Sequence, residues 1–216
     1  MNRHNPLMRM FHALLDAMGS ERRHAGNPPF ETAVEILLGR GVSPAKTEPV
    51  MDGLRRAGLL DPAALYALGE AGLAERIRPA GHYRQKAGRL LHFLRFLREE
   101  CDFDIERLAA WPLEDARAAL AAVRGVGPET ADAILLLACG FPVFPVSQAA
   151  ARLVLRHGLA FEEAGYEDIQ DILMGGLDGD ARLYAAMYGL IARTGREFCK
   201  PKAPLCAACP LGRFLE

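Results

Sequence analysis

Apolar residues recur at helical spacing along most of the chain. Leu7, Met10, Phe11, Leu14, Leu15 and Met18 fall on one helical face, and Gly19 follows as a stop. The stretch HAGNPP, residues 24 to 29, reads as a loop. Phe30 to Leu38 reads as an apolar helix. Ser43-Pro44 opens the next helix, with Ser as cap and Pro in the first turn. Val50, Leu54 and Ala57 keep its period and Gly58 ends it; Asp61-Pro62 starts a further short helix by the same device. His82 to Glu100 predicts a long helix. Arg84, Lys86, Arg89, Arg95 and Arg98 form its basic side, and Leu90, Leu91, Phe93, Leu94 and Leu97 its apolar side. Leu113 to Val123, Pro128 to Ala138, Gln148 to His157 and Ala181 to Arg193 are also helical by pattern. No segment alternates as a strand would and no repeat is visible, so the fold class is all-α. The acidic run 162–180 (Glu162, Glu163, Glu167, Asp168, Asp171, Asp178, Asp180) reads as a solvated surface.

One connection stands apart. In Val123-Arg-Gly125-Val126-Gly127-Pro128-Glu129-Thr130-Ala131-Asp132 a helix ends and another begins within a few residues. Glycine opens backbone angles closed to other residues, and Pro128 starts a helix where its missing N–H is no loss. Such a turn offers bare N–H groups at the positive end of a helix dipole, which suits an anion. A tight helix pair without a ligand is the plainer alternative.

Composition narrows the class. The 216 residues suit one large or two small domains with a sizeable core. Net charge is −1, so bulk electrostatics argues neither for nor against nucleic acid. The longest apolar stretch, Ala131 to Val146, contains Asp132, Gly140 and two prolines and is too short to span a bilayer. The start, MNRHNPLMRMFHALL, lacks a signal-peptide pattern, so a cytoplasmic protein without a membrane partner is expected. Of five cysteines, Cys199, Cys206 and Cys209 crowd near the end as C-x6-C-x2-C. In a reducing compartment that spacing suggests a soft metal, an iron–sulfur cluster or a zinc site rather than disulfides. Cys101 and Cys139 read as buried apolar residues.

The hairpin and the cysteines together resemble the endonuclease III type of DNA glycosylase, the helix-hairpin-helix–GPD superfamily. The hydrophobic-x-x-hydrophobic-x-Gly-hydrophobic-Gly-x-x-Thr-Ala pattern matches its hairpin, and C-x6-C-x2-C its cluster tail. Pro29-Phe30-Glu31, His82-Tyr83-Arg84-Gln85-Lys86-Ala87 and Gly140-Phe-Pro-Val143 resemble further family segments, so the likeness covers nearly the whole chain. It implies two helical domains with a DNA cleft between them. Residues 29–145 would form a six-helix barrel with the hairpin at about 114–138, and 1–28 plus 146–216 a helical domain carrying the cysteines. It also implies double-stranded, damaged DNA as partner, a monomeric protein, and DNA contacts from Gly125, Val126, Gly127, Thr130, Arg40 and Lys86. The metal ligands would be Cys199, Cys206 and Cys209 of a [4Fe–4S] cluster. The fourth family cysteine falls at Leu215, which leaves a non-cysteine fourth ligand, another metal or no metal open.

The chain departs from the family at the chemistry. The family's hairpin lysine, which attacks the sugar as an amine, is Glu129 here, and the family's catalytic aspartate is Ser147. A carboxylate forms no Schiff base, so family-type lyase action is not expected. Ser147 carries no charge beside the developing positive charge, although it suits a helix N-cap. Asp132 is a weak surrogate acid. In place of the family's wedge, Gly39-Arg40-Gly41 offers Arg40 for insertion or for a phosphate. The expected function is base-excision repair as a monofunctional glycosylase. The alternatives are a DNA-binding paralogue that no longer excises, and an unrelated helical protein with a structural zinc.

Overall fold

A computed structural model describes residues 5–20, 26–177 and 179–215. His24 and Ala25 of the expected loop, and Asp178 of the acidic run, lie outside the described residues. The elements in chain order are α1 (Pro6–Met18), α2 (Pro29–Gly39), α3 (Pro44–Arg56), α4 (Pro62–Ala67), α5 (Gly69–Arg76), α6 (Tyr83–Cys101) and α7 (Ile105–Leu108). Then come α8 (Leu113–Ala122), α9 (Pro128–Leu137), α10 (Gln148–Arg156), α11 (Tyr166–Gly176) and α12 (Ala181–Glu197). Short 3-10 turns occupy Arg78–Ala80, Cys206–Ala208 and Gly212–Phe214. There is no strand among the described residues, and none of their helices is long and apolar enough to cross a membrane.

The chain forms two compact units. One takes Gly26–Phe141; the other takes Met1–Ala25 and Pro142–Glu216. In the first, α6 packs on α2, α4 and α5, and α2 packs on α9. Leu90, Phe93, Leu94 and Leu97, predicted on the apolar side of the long helix, are all fully buried. Truncating one such leucine to alanine costs on the order of 2–5 kcal/mol. Leu91, placed by the pattern on that side, is only half-buried.

In the second unit α12 packs on α1 and α10, around Leu14, Leu153, Val154, Met187, Leu190 and Ile191. Small residues set this packing. A Cβ at Gly195 would lie 2.7 Å from the Ala149 Cβ, and one at Gly176 would collide with Leu7. Side-chain caps hold the helix starts. Asn5 accepts from Leu7 N at 2.9 Å, Asp61 from Ala64 N at 2.8 Å and Asp180 from Arg182 N at 2.8 Å. Ser43 sits at the N-cap of α3 but makes no cap hydrogen bond; Thr47 Oγ1 instead donates to the Pro44 carbonyl at 3.2 Å.

Three helices are invisible to the periodicity. α5 and α7 are too short to show a repeat. α11 lies inside the acidic run, where exposed Glu167, Asp168 and Asp171 mask its buried stripe of Ile169, Gln170 and Leu173.

Candidate nucleic-acid interface and cysteine pocket

The hairpin joins α8 to α9. Val123 leaves the helix with φ −68° and ψ 122°, and the Val126 N–H closes a turn on the Val123 carbonyl at 2.9 Å. Gly125 sits at φ +89°, where only glycine is at ease. Gly127 is different: at φ −95° and ψ 174° it is extended backbone that any residue adopts. The expectation that both glycines are required by their angles is therefore corrected for Gly127. A Cβ at Gly125 would lie 3.3 Å from Arg89 Cγ, whereas one at Gly127 would meet nothing within 4 Å.

Two side chains of the turn face inward. Val126 is 5% exposed and Thr130 is 3% exposed. The Thr130 and Ala131 N–H groups both donate to the Gly127 carbonyl, at 2.9 and 3.0 Å. That leaves the Gly125 and Gly127 N–H groups without a partner among the described residues. The His92 ring, with its proton at Nδ1, donates to the Arg124 carbonyl at 3.2 Å and pins the turn to α6.

Cations gather beneath this turn although the whole chain is near neutral. Arg89 packs under Gly125, and its Nε is buried without a hydrogen-bond partner. Burial pushes the Arg89 guanidinium down, and Arg40 adds to the push. Arg89 is the site residue that sequence reasoning passed over. Its signal was present, because Lys86 and Arg89 stand three apart on one helix face. Lys86 is lowered by burial, then by Arg89 and Lys46. It is only 2% exposed, and its Nζ donates to the Ala80 carbonyl at 2.9 Å. Lys86, read from the sequence as part of the helix's basic side and from the resemblance as a DNA contact, turns inward here and braces the Arg78–Ala80 turn.

The structure brings Arg40 and Glu129 together, with Arg40 Nη1 2.6 Å from Glu129 Oε2. Asp132 does not join them. Its carboxylate is fully buried and takes both hydrogen bonds of a forked pair with Arg117, Nε at 2.8 Å and Nη2 at 3.1 Å. As a surrogate acid Asp132 is corrected to a structural ion pair. Ser147 caps α10, its Oγ accepting from Ala150 N at 3.1 Å.

The three late cysteines line one pocket with His157, Phe198 and Leu215. Two arginines of α10 clamp its rim. Arg152 donates twice to the Cys199 carbonyl, at 3.2 and 3.1 Å. Arg156 donates to Cys199 Sγ at 3.2 Å and to the Lys200 and Pro201 carbonyls at 2.9 and 3.0 Å. Gly212 is wound so tightly here that a Cβ would run into the Cys206 carbonyl. The Cys209 thiol is pushed up by burial first, with Cys199 and Cys206 adding to it. His157, the C-cap of α10, has a buried Nδ1 with no partner. Among the described residues no three His, Cys, Asp or Glu side chains stand in a ready metal-holding arrangement. Cys101 is fully buried, as expected; Cys139 is half-buried.

No protein-family model matches the chain. Individual proteins do. A candidate DNA repair glycosylase of Methanocaldococcus jannaschii is 32% identical over 215 residues, 99% of this chain and 97% of that protein. Endonuclease III of Thermotoga maritima is 27% identical over 195 residues, 90% of this chain and 86% of the enzyme. Among solved structures, an endonuclease III trapped covalently on DNA superposes with TM-score 0.81 at 20% identity, over 100% of this chain and 97% of that one. The Helicobacter pylori 3-methyladenine DNA glycosylase bound to 1,N6-ethenoadenine gives 0.72 at 22% identity, over 88% and 97%. The superpositions speak for the fold alone. Identity of about a third along almost the whole of both chains speaks for descent, and the chain belongs to the endonuclease III family of helix-hairpin-helix DNA glycosylases.

Proposed function

We propose that this protein is a DNA base-excision-repair glycosylase that acts as a monomer in the cytoplasm, grips damaged duplex DNA at the hairpin and releases a base with water. The observation that carries the proposal is Gly127. Neither its backbone angles nor its surroundings call for glycine, yet its N–H and that of Gly125 stand free at the start of α9. A phosphate approaching the backbone supplies the missing reason. Arg89 adds positive potential beneath the turn.

In this reading the hairpin residues position the strand without reading its sequence. Glu129 orients the attacking water, and Arg40 holds the Glu129 carboxylate in place. With no amine at position 129 there is no Schiff base and no family-type strand cleavage.

The three-thiol donor set of the cysteine pocket suits a [4Fe–4S] cluster, although among the described residues no three of its side chains already stand in a metal-holding arrangement. The support is the shared pocket, the Arg156 donor on Cys199 Sγ and the tight turn at Gly212. Cys199, Cys206 and Cys209 would hold it as thiolates. When bound, the cluster supplies a cross-link between the end of α12 and the last turns of the chain.

A second reading, a DNA-binding paralogue that no longer excises, is favoured by one observation: Ser147, uncharged, is spent on capping α10. A single-turnover assay separates the two. Duplexes carry an oxidised pyrimidine, an alkylated purine or a mismatched uracil, and base release and binding are followed together. The proposal expects release that leaves an uncut abasic strand, slowed by roughly 10²-fold or more in Glu129→Gln. Tight binding without release on any of them supports the second reading.

A further inference from the structure

One further nitrogen donor lines the cysteine pocket, that of His157. Cys199, Cys206 and Cys209 share their pocket with Leu215, which has no donor, and with His157. His157 is the C-cap of α10, its N–H held by the Leu153 carbonyl at 3.1 Å, so its backbone is fixed relative to the clamped Cys199 loop. Its Nδ1 is buried and has no hydrogen-bond partner. An imidazole nitrogen left unpaired away from water is costly unless something binds it.

We infer that His157 is the fourth protein ligand of the iron–sulfur cluster, its Nδ1 taking the place that position 215 leaves vacant. The inference rests on the cluster reading above. Imidazole does replace cysteine on iron in some cluster types, where it raises the reduction potential. Ligation through Nδ1 needs the neutral ring with its proton on Nε2. Arg156, one residue earlier, supplies a charged donor to Cys199 Sγ, so one helix end would serve the cluster twice.

The test uses the full chain, reconstituted anaerobically with iron and sulfide. Pulsed EPR of the reduced cluster is recorded with natural-abundance and ¹⁵N-labelled histidine, and iron content and resistance to chelator are measured beside it. The expected result is a strong histidine nitrogen coupling in the native chain. In His157→Ala the coupling vanishes, iron falls below that of a full cube, and chelator resistance drops by about tenfold or more. The double variant His157→Ala/Leu215→Cys keeps the inference falsifiable should the single variant misfold. It should regain full iron without the nitrogen coupling. A native cluster with no nitrogen coupling, or full iron and unchanged resistance in His157→Ala, overturns the ligand assignment but leaves the cluster. A folded native chain that takes up no cluster, while Leu215→Cys does, overturns the cluster reading for this protein and His157 with it.

Discussion

The Arg40 guanidinium closes on the Glu129 carboxylate with Nη1 2.6 Å from Oε2, joining the loop after α2 to the first turn of α9. The two side chains keep 37% and 19% of their exposure, so the pair contributes less than about 1 kcal/mol to the fold. Its value is positional. Arg40→Ala should shift the unfolding free energy by less than about 1 kcal/mol yet slow base release by roughly ten- to hundredfold. Denaturant unfolding and single-turnover kinetics on the same preparation check both halves.

The same pairing bears on lyase chemistry. In the double variant Glu129→Lys/Ser147→Asp the new amine stands opposite Arg40, and like charge favours its neutral, nucleophilic form. We expect a borohydride-trappable adduct with abasic duplex from this variant and none from the native chain. No adduct from a folded, DNA-binding variant would show that more than two residues separate this site from lyase action.

Asp132 is fully buried against Arg117, which is 25% exposed. Removing one partner of such a pair leaves an uncompensated charge, so Asp132→Asn should cost about 3 kcal/mol in urea unfolding. Where the variant remains folded, base release should stay within a few-fold of native. A drop of a hundredfold or more would return Asp132 to the chemistry.

Most of the scaffold was legible because proline and glycine punctuate it. Ser43-Pro44, Asp61-Pro62 and Gly127-Pro128 mark helix starts, and the structure moves those boundaries by a residue at most. The late cysteines stood out by their spacing, and the structure gathers all three around one pocket. What the sequence hid were long-range pairings. Nothing local says that Arg40 meets Glu129, that Arg117 consumes Asp132 fifteen residues on, or that Lys86 turns back to the Ala80 carbonyl. Those depend on how α2, α6, α8 and α9 pack. Arg89 showed on the basic side of α6, but its place under the turn did not, because Gly125 is far along the chain.

Cys139 offers a test of burial through pH. Burial, with Cys101 adding to it, pushes the Cys139 thiol from 9.0 up to about 12. Between those values the unfolded chain loses the proton and the folded chain keeps it. This contribution is therefore complete below pH 9 and falls away as pH rises towards 12, by up to about 1.4 kcal/mol per unit. Cys139→Ala should flatten that part of the stability profile, read from urea midpoints across the alkaline range.

The most direct measurement is the affinity of Gly127→Ala for a damaged duplex at fixed salt, beside its stability. Alanine fits the extended backbone and the empty space at 127, so stability should hold or rise by up to about 1 kcal/mol. Gly125→Ala, strained at φ +89° and pressed on Arg89, should instead lose about 1–3 kcal/mol. If the hairpin receives a phosphate, the added methyl in Gly127→Ala weakens binding by about tenfold or more with the fold intact. An affinity equal to that of the native chain would contradict the hairpin as the DNA grip.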